Sequence, residues 1–178
     1  MDTRRAFLVD AFTIEPLSGN QAGLVPEAEG LGEEAMAAIA RELNASETAF
    51  LFPTEDSARR IRYFTPAGEI DLCGHATVAA GVWLSDTDRL DDGRHTFETN
   101  AGPLDVELDD RTVWMEGTRS EVSPVDLSYT RVANALGADP ATLTDIGADL
   151  PLATASAGLE YLIVPVNFLE ALSGLDPE

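Results

Sequence analysis

Lysine is missing altogether: the 11 basic residues are all arginine, and they face 32 acidic residues. Without lysine no Schiff base can form with pyridoxal phosphate or a carbonyl substrate, and no phosphate-loop lysine is available. Cysteine occurs once, at Cys73, which excludes an intrachain disulfide and a multi-cysteine zinc site. Basic patches are also missing, so a nucleic-acid surface is excluded. The uncharged run from Ala76 to Leu84 is too short to span a membrane. Met1-Asp2-Thr3-Arg4-Arg5 leads into a strand pattern without an apolar signal block. A cytoplasmic protein with no membrane partner is the expectation.

The excess of acid gives a net charge of −21 spread along all 178 residues. Apolar periodicity persists throughout, which argues against a disordered acidic chain. A folded, halophilic protein with a strongly acidic surface accounts for both features, because salt screens the self-repulsion of such a surface. The length suits one domain, or one domain with part of another.

What the chain does contain is concentrated between Arg62 and Thr77. Ile61 and Tyr63 alternate with Arg62 and Phe64 as in a strand, and Pro66 and Gly68 interrupt it. Cys73-Gly74-His75 then opens the Ala-rich run to Leu84, which reads as a buried helix ended by Ser85 and Asp86. Helix starts carry free N–H groups and the positive end of the macrodipole, so they attract carboxylates and phosphates. Gly74 lets a ligand approach the backbone closely.

Elsewhere, Arg4 to Ile14 reads as a strand apolar on both faces, and hence central. Leu31 to Leu43 is an amphipathic helix with Leu31, Ala35, Met36, Ile39, Ala40 and Leu43 on one face. In the strand starting near Ser46, alternation puts Glu47, Ala49 and Leu51 on a common face. A carboxylate among apolar neighbours is costly unless paired, although a strand-terminal glutamate commonly reaches water instead. Residues 94–99, 103–109 and 112–116 read as three antiparallel strands. Gly117 to Pro124 reads as a linker, Leu127 to Leu136 as a short helix, Leu159 to Val166 as an apolar strand, and Asn167 as the cap of a last helix. Glu69 and Asp71 read as solvated or capping carboxylates. Cys73, taken alone, reads as an inert small hydrophobe. No metal site is expected.

In order and spacing, Val9-Asp10-Ala11-Phe12-Thr13, Gly19-Asn20, Ser46-Glu47-Thr48 with Phe50, and the Arg62–Thr77 stretch resemble the phenazine-biosynthesis PhzF-like isomerase family. Ser156-Ala157-Gly158 before Leu162-Ile163-Val164-Pro165-Val166 looks like its continuation. The resemblance implies an α+β, diaminopimelate epimerase-like fold, in which a curved mixed sheet wraps a central helix. It divides the chain into an N-terminal domain, 1–117, and a linker with the incomplete start of a second pseudo-symmetric domain, 118–178. It further implies Glu47 as acid/base with His75 assisting, and Asn20, Cys73 and Gly74 as substrate-binding residues. The reaction so implied is a cofactor-independent proton transfer on a small carboxylate-bearing metabolite, in a homodimer.

Two departures stand out. Gln21 replaces the proline that usually follows Gly-Asn, and Asp176-Pro177 falls too early to be the family's second glycine-rich segment. A reading of another class therefore stays beside the first: a catalytically inactive domain that binds small acids or a protein partner. The charge carries its own test. Raising ionic strength from 0.1 to 1 M shortens the screening length from about 10 to about 3 Å, so the midpoint of thermal unfolding is expected to rise over that range. A falling midpoint would contradict the assignment of the acidic surface to high salt.

Overall fold

The computed structural model describes residues 3–117, 120–147, 150–156 and 160–177. The chain forms two compact units, Met1–Glu116 and Gly117–Glu178. The first unit runs β1 (Phe7–Ala11), β2 (Asn20–Val25), α1 (Glu33–Leu43), β3 (Thr48–Phe52), β4 (Arg59–Thr65), β5 (Gly68–Ile70), α2 (Gly74–Asp86), β6 (Gly93–Thr99), β7 (Gly102–Asp109) and β8 (Thr112–Met115). Its strands make one mixed sheet in the order β1-β2-β3-β4-β6-β7-β8, with β5 folded back on β4. The β2–β3 and β4–β6 pairs are parallel and the others antiparallel.

Geometry requires this sheet to curl. With strands about 4.8 Å apart, β1 and β8 would lie about 29 Å from each other if the sheet were flat. A helix with its side chains is only about 10–12 Å across, yet α2 packs against β1, β2 and β3 and also against β7 and β8. The sheet therefore wraps α2. That wrapping explains the composition of the helix: Ala76, Thr77, Ala79, Ala80, Gly81 and Leu84 are all buried, and small residues let strands approach from several sides. The tightest approach is at Gly81, where a Cβ would lie 2.9 Å from Val113 Cγ2.

Alternation along the strands sorts side chains into two cores. Ala49, Leu51, Ile61 and Tyr63, with Leu24 and Phe97, pack against Ala79 and Leu84 of α2. Phe50 and Phe64 face the other way and, with Val25, bury Met36 and Ala40 of α1. Their rings meet edge-on at 5.4 Å between centroids. The chain leaves α1 through Asn44, whose left-handed backbone (φ 52°) returns its N–H to Ala40 O, as asparagine at a helix end readily does. It then enters β3 within three residues.

In the second unit, β9 (Glu121–Pro124), α3 (Tyr129–Ala135), α4 (Ala141–Thr144), β10 (Ala153–Ser156), β11 (Glu160–Ile163) and α5 (Leu169–Ser173) follow in order. The strands form an antiparallel sheet, β11-β10-β9. Among the described residues of this unit, Ala133, Leu143, Leu152 and Ala153 are buried and apolar.

Several local readings change. The first strand is an edge strand and not a central one; Leu8 is 52% exposed, so apolar residues on both faces did not signal a covered strand here. The 117–124 stretch is not all linker, because Glu121–Pro124 pairs with β10. Asn167 caps nothing; Phe168 precedes α5 in extended conformation. The turn at Pro66 and Gly68 does not end the sheet but reverses it into β5. Ala157 and Gly158 of the family-like continuation, and Leu159 of the expected apolar strand, lie outside the described residues.

Close packing at Gly81 can be tested directly. Gly81→Val drives methyl groups into Val113, and overpacking of this kind typically costs about 1–3 kcal/mol. Urea denaturation should show that loss, and an unchanged midpoint would mean that β8 does not press on α2.

Candidate active site

Three side chains from distant parts of the sequence converge at the start of α2. Glu47 stands one residue before β3, and alternation directs it to the same side as Ala49 and Leu51, toward the helix. Its own carbonyl accepts a 2.8 Å hydrogen bond from Gly23 N–H of β2. Glycine is needed there, because a Cβ at residue 23 would lie 2.4 Å from the Oγ1 of buried Thr48. Two neighbouring strands thus fix the backbone that carries the carboxylate.

On the helix side, Cys73 is the N-cap residue with extended backbone, and Gly74 and His75 form the first turn. His75 Nε2 lies 3.3 Å from Glu47 Oε2. It sits off the line that a hydrogen bond requires, so the buried Nε2 has no hydrogen-bond partner among the described residues. On the other side of the ring, Nδ1 is 3.3 Å from Cys73 Sγ. Both Glu47 and His75 are largely enclosed, at 21% and 13% side-chain exposure. An ion pair or hydrogen bond formed here would be screened far less than one on the surface.

Burial raises the Cys73 thiol to about 11, with the Glu47 carboxylate adding to the rise and the N–H groups of Ala76 and His75 opposing it. At neutral pH the sulfur therefore keeps its proton and is a poor nucleophile. Glu47, Cys73 and His75 also offer an oxygen, a sulfur and a nitrogen within 4.8 Å of one another. The sequence does not suggest such a donor set, since Glu47 is remote from the other two along the chain. A cation would have to displace the thiol proton that burial retains.

Asn20 opens β2 and is exposed. It lies three residues from Gly23, but no described contact joins it to Glu47, Cys73 or His75. Gly74 is half-buried at the helix start, with Met115 Cε 3.4 Å from where its Cβ would be.

Three supporting contacts escaped sequence reasoning. Glu69 is not a free solvated carboxylate: Arg62 donates to it twice, at 2.6 and 2.5 Å, and Asn100 Nδ2 once, at 2.8 Å. The Arg62 guanidinium and the Asn100 amide hold the Glu69 carboxyl below its usual range. The network staples the β4–β5 turn just ahead of α2. Its signal was present, since Arg62 and Glu69 flank a Pro-Ala-Gly turn, though Asn100 comes from another hairpin. Within the helix core, Tyr63 and Thr77 are also hydrogen-bonded to each other, at 2.6 Å.

The family model "Phenazine biosynthesis-like protein" matches residues 9–178. An uncharacterized isomerase of Deinococcus radiodurans is 40% identical over 177 residues, covering 96% of this chain and 56% of its own length. The uncharacterized isomerase YfhB of Bacillus subtilis is 36% identical over 174 residues, covering 95% of this chain and 58% of its own. The crystal structure of a PhzF-family phenazine biosynthesis protein from Bacillus anthracis superposes with a TM-score of 0.86 at 34% identity, over 99% of this chain and 60% of that one. The chain belongs to the PhzF family of phenazine biosynthesis-like proteins, and its sheet curled round α2 has the diaminopimelate epimerase-like architecture. It spans between half and two thirds of the length of these relatives.

The thiol's high pKa gives a prediction. Below it, each unit of pH raises the thiolate fraction about tenfold. Alkylation of Cys73 by iodoacetamide should therefore accelerate steadily from pH 7 to 10, as followed by mass spectrometry. A rate that levels off near pH 8 would place the sulfur in an unperturbed or activated environment instead.

Proposed function

We propose that this chain is an isomerase that moves a proton on a small carboxylate-bearing metabolite, with Glu47 as the acid/base and His75 as its partner. The observation that carries the reading is the 3.3 Å approach of His75 Nε2 to Glu47 Oε2 at the start of a buried helix. A lone enclosed carboxylate beside an imidazole suits general base and then general acid catalysis, which together contribute about 10²–10⁴-fold each way. The relatives named as isomerases belong to the same class.

In this reaction a substrate carboxylate docks against the N–H groups at the start of α2, where the helix dipole favours negative charge. The Glu47 carboxylate takes a proton from a carbon made acidic by conjugation. The electron pair of that C–H bond enters the conjugated system, and the same carboxyl group returns the proton to another carbon. No net oxidation or reduction occurs, and no cofactor is required by the electron count. The helix-start N–H groups also stabilise the charge that develops in the transition state.

The neighbouring thiol has a part in orienting the histidine. Because the sulfur is protonated at neutral pH, it can donate to His75 Nδ1, leaving the ring proton on Nε2 where it faces Glu47. Asn20 and Gly74 complete the reading as substrate-binding residues, with Cys73 beside them. A homodimer, a cytoplasmic location and adaptation to high salt remain part of this proposal, the last supported by the acidic composition; among the described residues no helix is long and apolar enough to cross a membrane.

The test is deuterium incorporation from D2O into small β,γ-unsaturated carboxylic acids, followed by NMR. The wild-type chain should catalyse exchange, and Glu47→Gln should lower the rate by about 10²-fold or more. Exchange by the variant at the parent rate would remove Glu47 from the mechanism. Failure of the wild-type chain to exchange any of these acids would favour the small-acid-binding alternative.

A further inference from the structure

Behind the helix start lies a buried chain of hydroxyl groups. Thr77 Oγ1 donates to Cys73 O at 2.8 Å, and Thr77 N–H donates to the same oxygen at 3.0 Å. Tyr63 OH lies 2.6 Å from Thr77 Oγ1. Both side chains are wholly enclosed, each at 0% exposure. The proton positions follow from elimination. A carbonyl only accepts, so the single Thr77 hydroxyl proton is committed to Cys73 O, and the Tyr63 hydroxyl must be the donor to Thr77. Burial pushes the Tyr63 phenol well above its usual range, so that donor proton is retained at any physiological pH.

The consequence lies on the other side of a peptide bond. The Cys73 C=O and the Gly74 N–H share one planar trans unit and point in opposite directions. Pinning the carbonyl toward Thr77 therefore fixes the Gly74 N–H outward from the helix start. Gly74 N–H opens the first turn of α2, directly after the N-cap residue Cys73. Gly74 N–H is thereby a helix-start donor open to a ligand, and no described residue is shown accepting from it.

We propose that Tyr63 and Thr77 are positioning residues that lock the Cys73–Gly74 peptide so that Gly74 N–H is presented to the substrate carboxylate. The inference rests on the reading that a carboxylate docks at the start of α2. A Tyr–Thr pair inside a core would ordinarily be explained as satisfaction of two buried hydroxyls. Here, however, it ends on the carbonyl whose peptide carries the Gly74 N–H. Chains of hydrogen bonds polarise one another, so the tyrosine strengthens the grip of the threonine on that carbonyl.

The experiment uses the full chain labelled with 15N-glycine, with acetate as the carboxylate probe. The Gly74 amide is assigned through Gly74→Ala, and its shift is followed in 15N–1H spectra as acetate is added. In the wild type this amide should move in a saturable way. Thr77→Ser, which keeps the hydroxyl, should behave like the wild type. Thr77→Val and Tyr63→Phe should weaken the apparent acetate affinity about 5- to 30-fold, the range expected for losing a buried hydrogen bond of about 1–2 kcal/mol. Circular dichroism and the dispersion of the other glycine amides establish that each variant is folded. A variant that does not fold is replaced by Thr77→Ala or Tyr63→Leu. Saturable acetate binding that is identical in wild type and in the folded Tyr63 and Thr77 variants would overturn the positioning role and leave the carboxylate-docking reading standing. Absence of any Gly74 response in the wild type would overturn both.

Discussion

The wrapping of one sheet around α2 is the constraint on which the rest of the molecule depends. Strands from both ends of the sheet, β1 and β8 among them, can reach a single helix only if the sheet curls round it, and close approach demands small residues on the helix. Ala76, Ala79, Ala80 and Gly81 satisfy that demand, and Gly81 defines the closest approach. Most of the helix body is covered in this way, while Gly74 and His75 at its start stay partly exposed. The start of α2 carries the N–H groups that precede the first helical hydrogen bond and the positive end of the helix dipole.

The same wrapping brings Glu47 to that end. β3 lies in the middle of the sheet and is buried along four of its five residues, so the face of every side chain on it is set by alternation. The Gly23–Glu47 hydrogen bond then holds the carboxylate's backbone in place on the neighbouring strand. Tyr63, on the next strand across, reaches α2 from a register directly opposite Ala49. Glu47 and Tyr63 therefore approach the first turn of the helix from adjacent strands, one beside His75 and one beside Thr77. Fold and site are in this sense a single arrangement: the strand order that buries the helix also delivers the residues around its start.

Much of this was legible in the sequence where one period dominated. The uncharged run from Ala76 to Leu84 gave the buried helix, and strict alternation in Glu47, Ala49 and Leu51 gave the face on which Glu47 lies. Cys73, Gly74 and His75 were placed at the helix start from local signals alone. What stayed hidden required pairing between distant segments. Nothing local shows that Glu69 is held by Asn100, that Gly23 must lack a side chain because of Thr48, or that Tyr63 ends on Thr77. The edge position of β1 was missed for the same reason: Leu8 and Phe12 look like the second face of a covered strand, but cover is supplied by neighbours, not by the strand. The motif resemblance recovered part of this long-range information and led to the family to which the chain belongs.

The central claim is that Glu47 and His75 act as one unit at the start of α2. A double-mutant cycle on the rate of deuterium exchange, with Glu47→Gln, His75→Asn and the pair, measures this coupling most directly. If they act together, the double variant should exchange no more slowly than the worse single variant. Losses that simply multiply would show two independent residues and contradict the account.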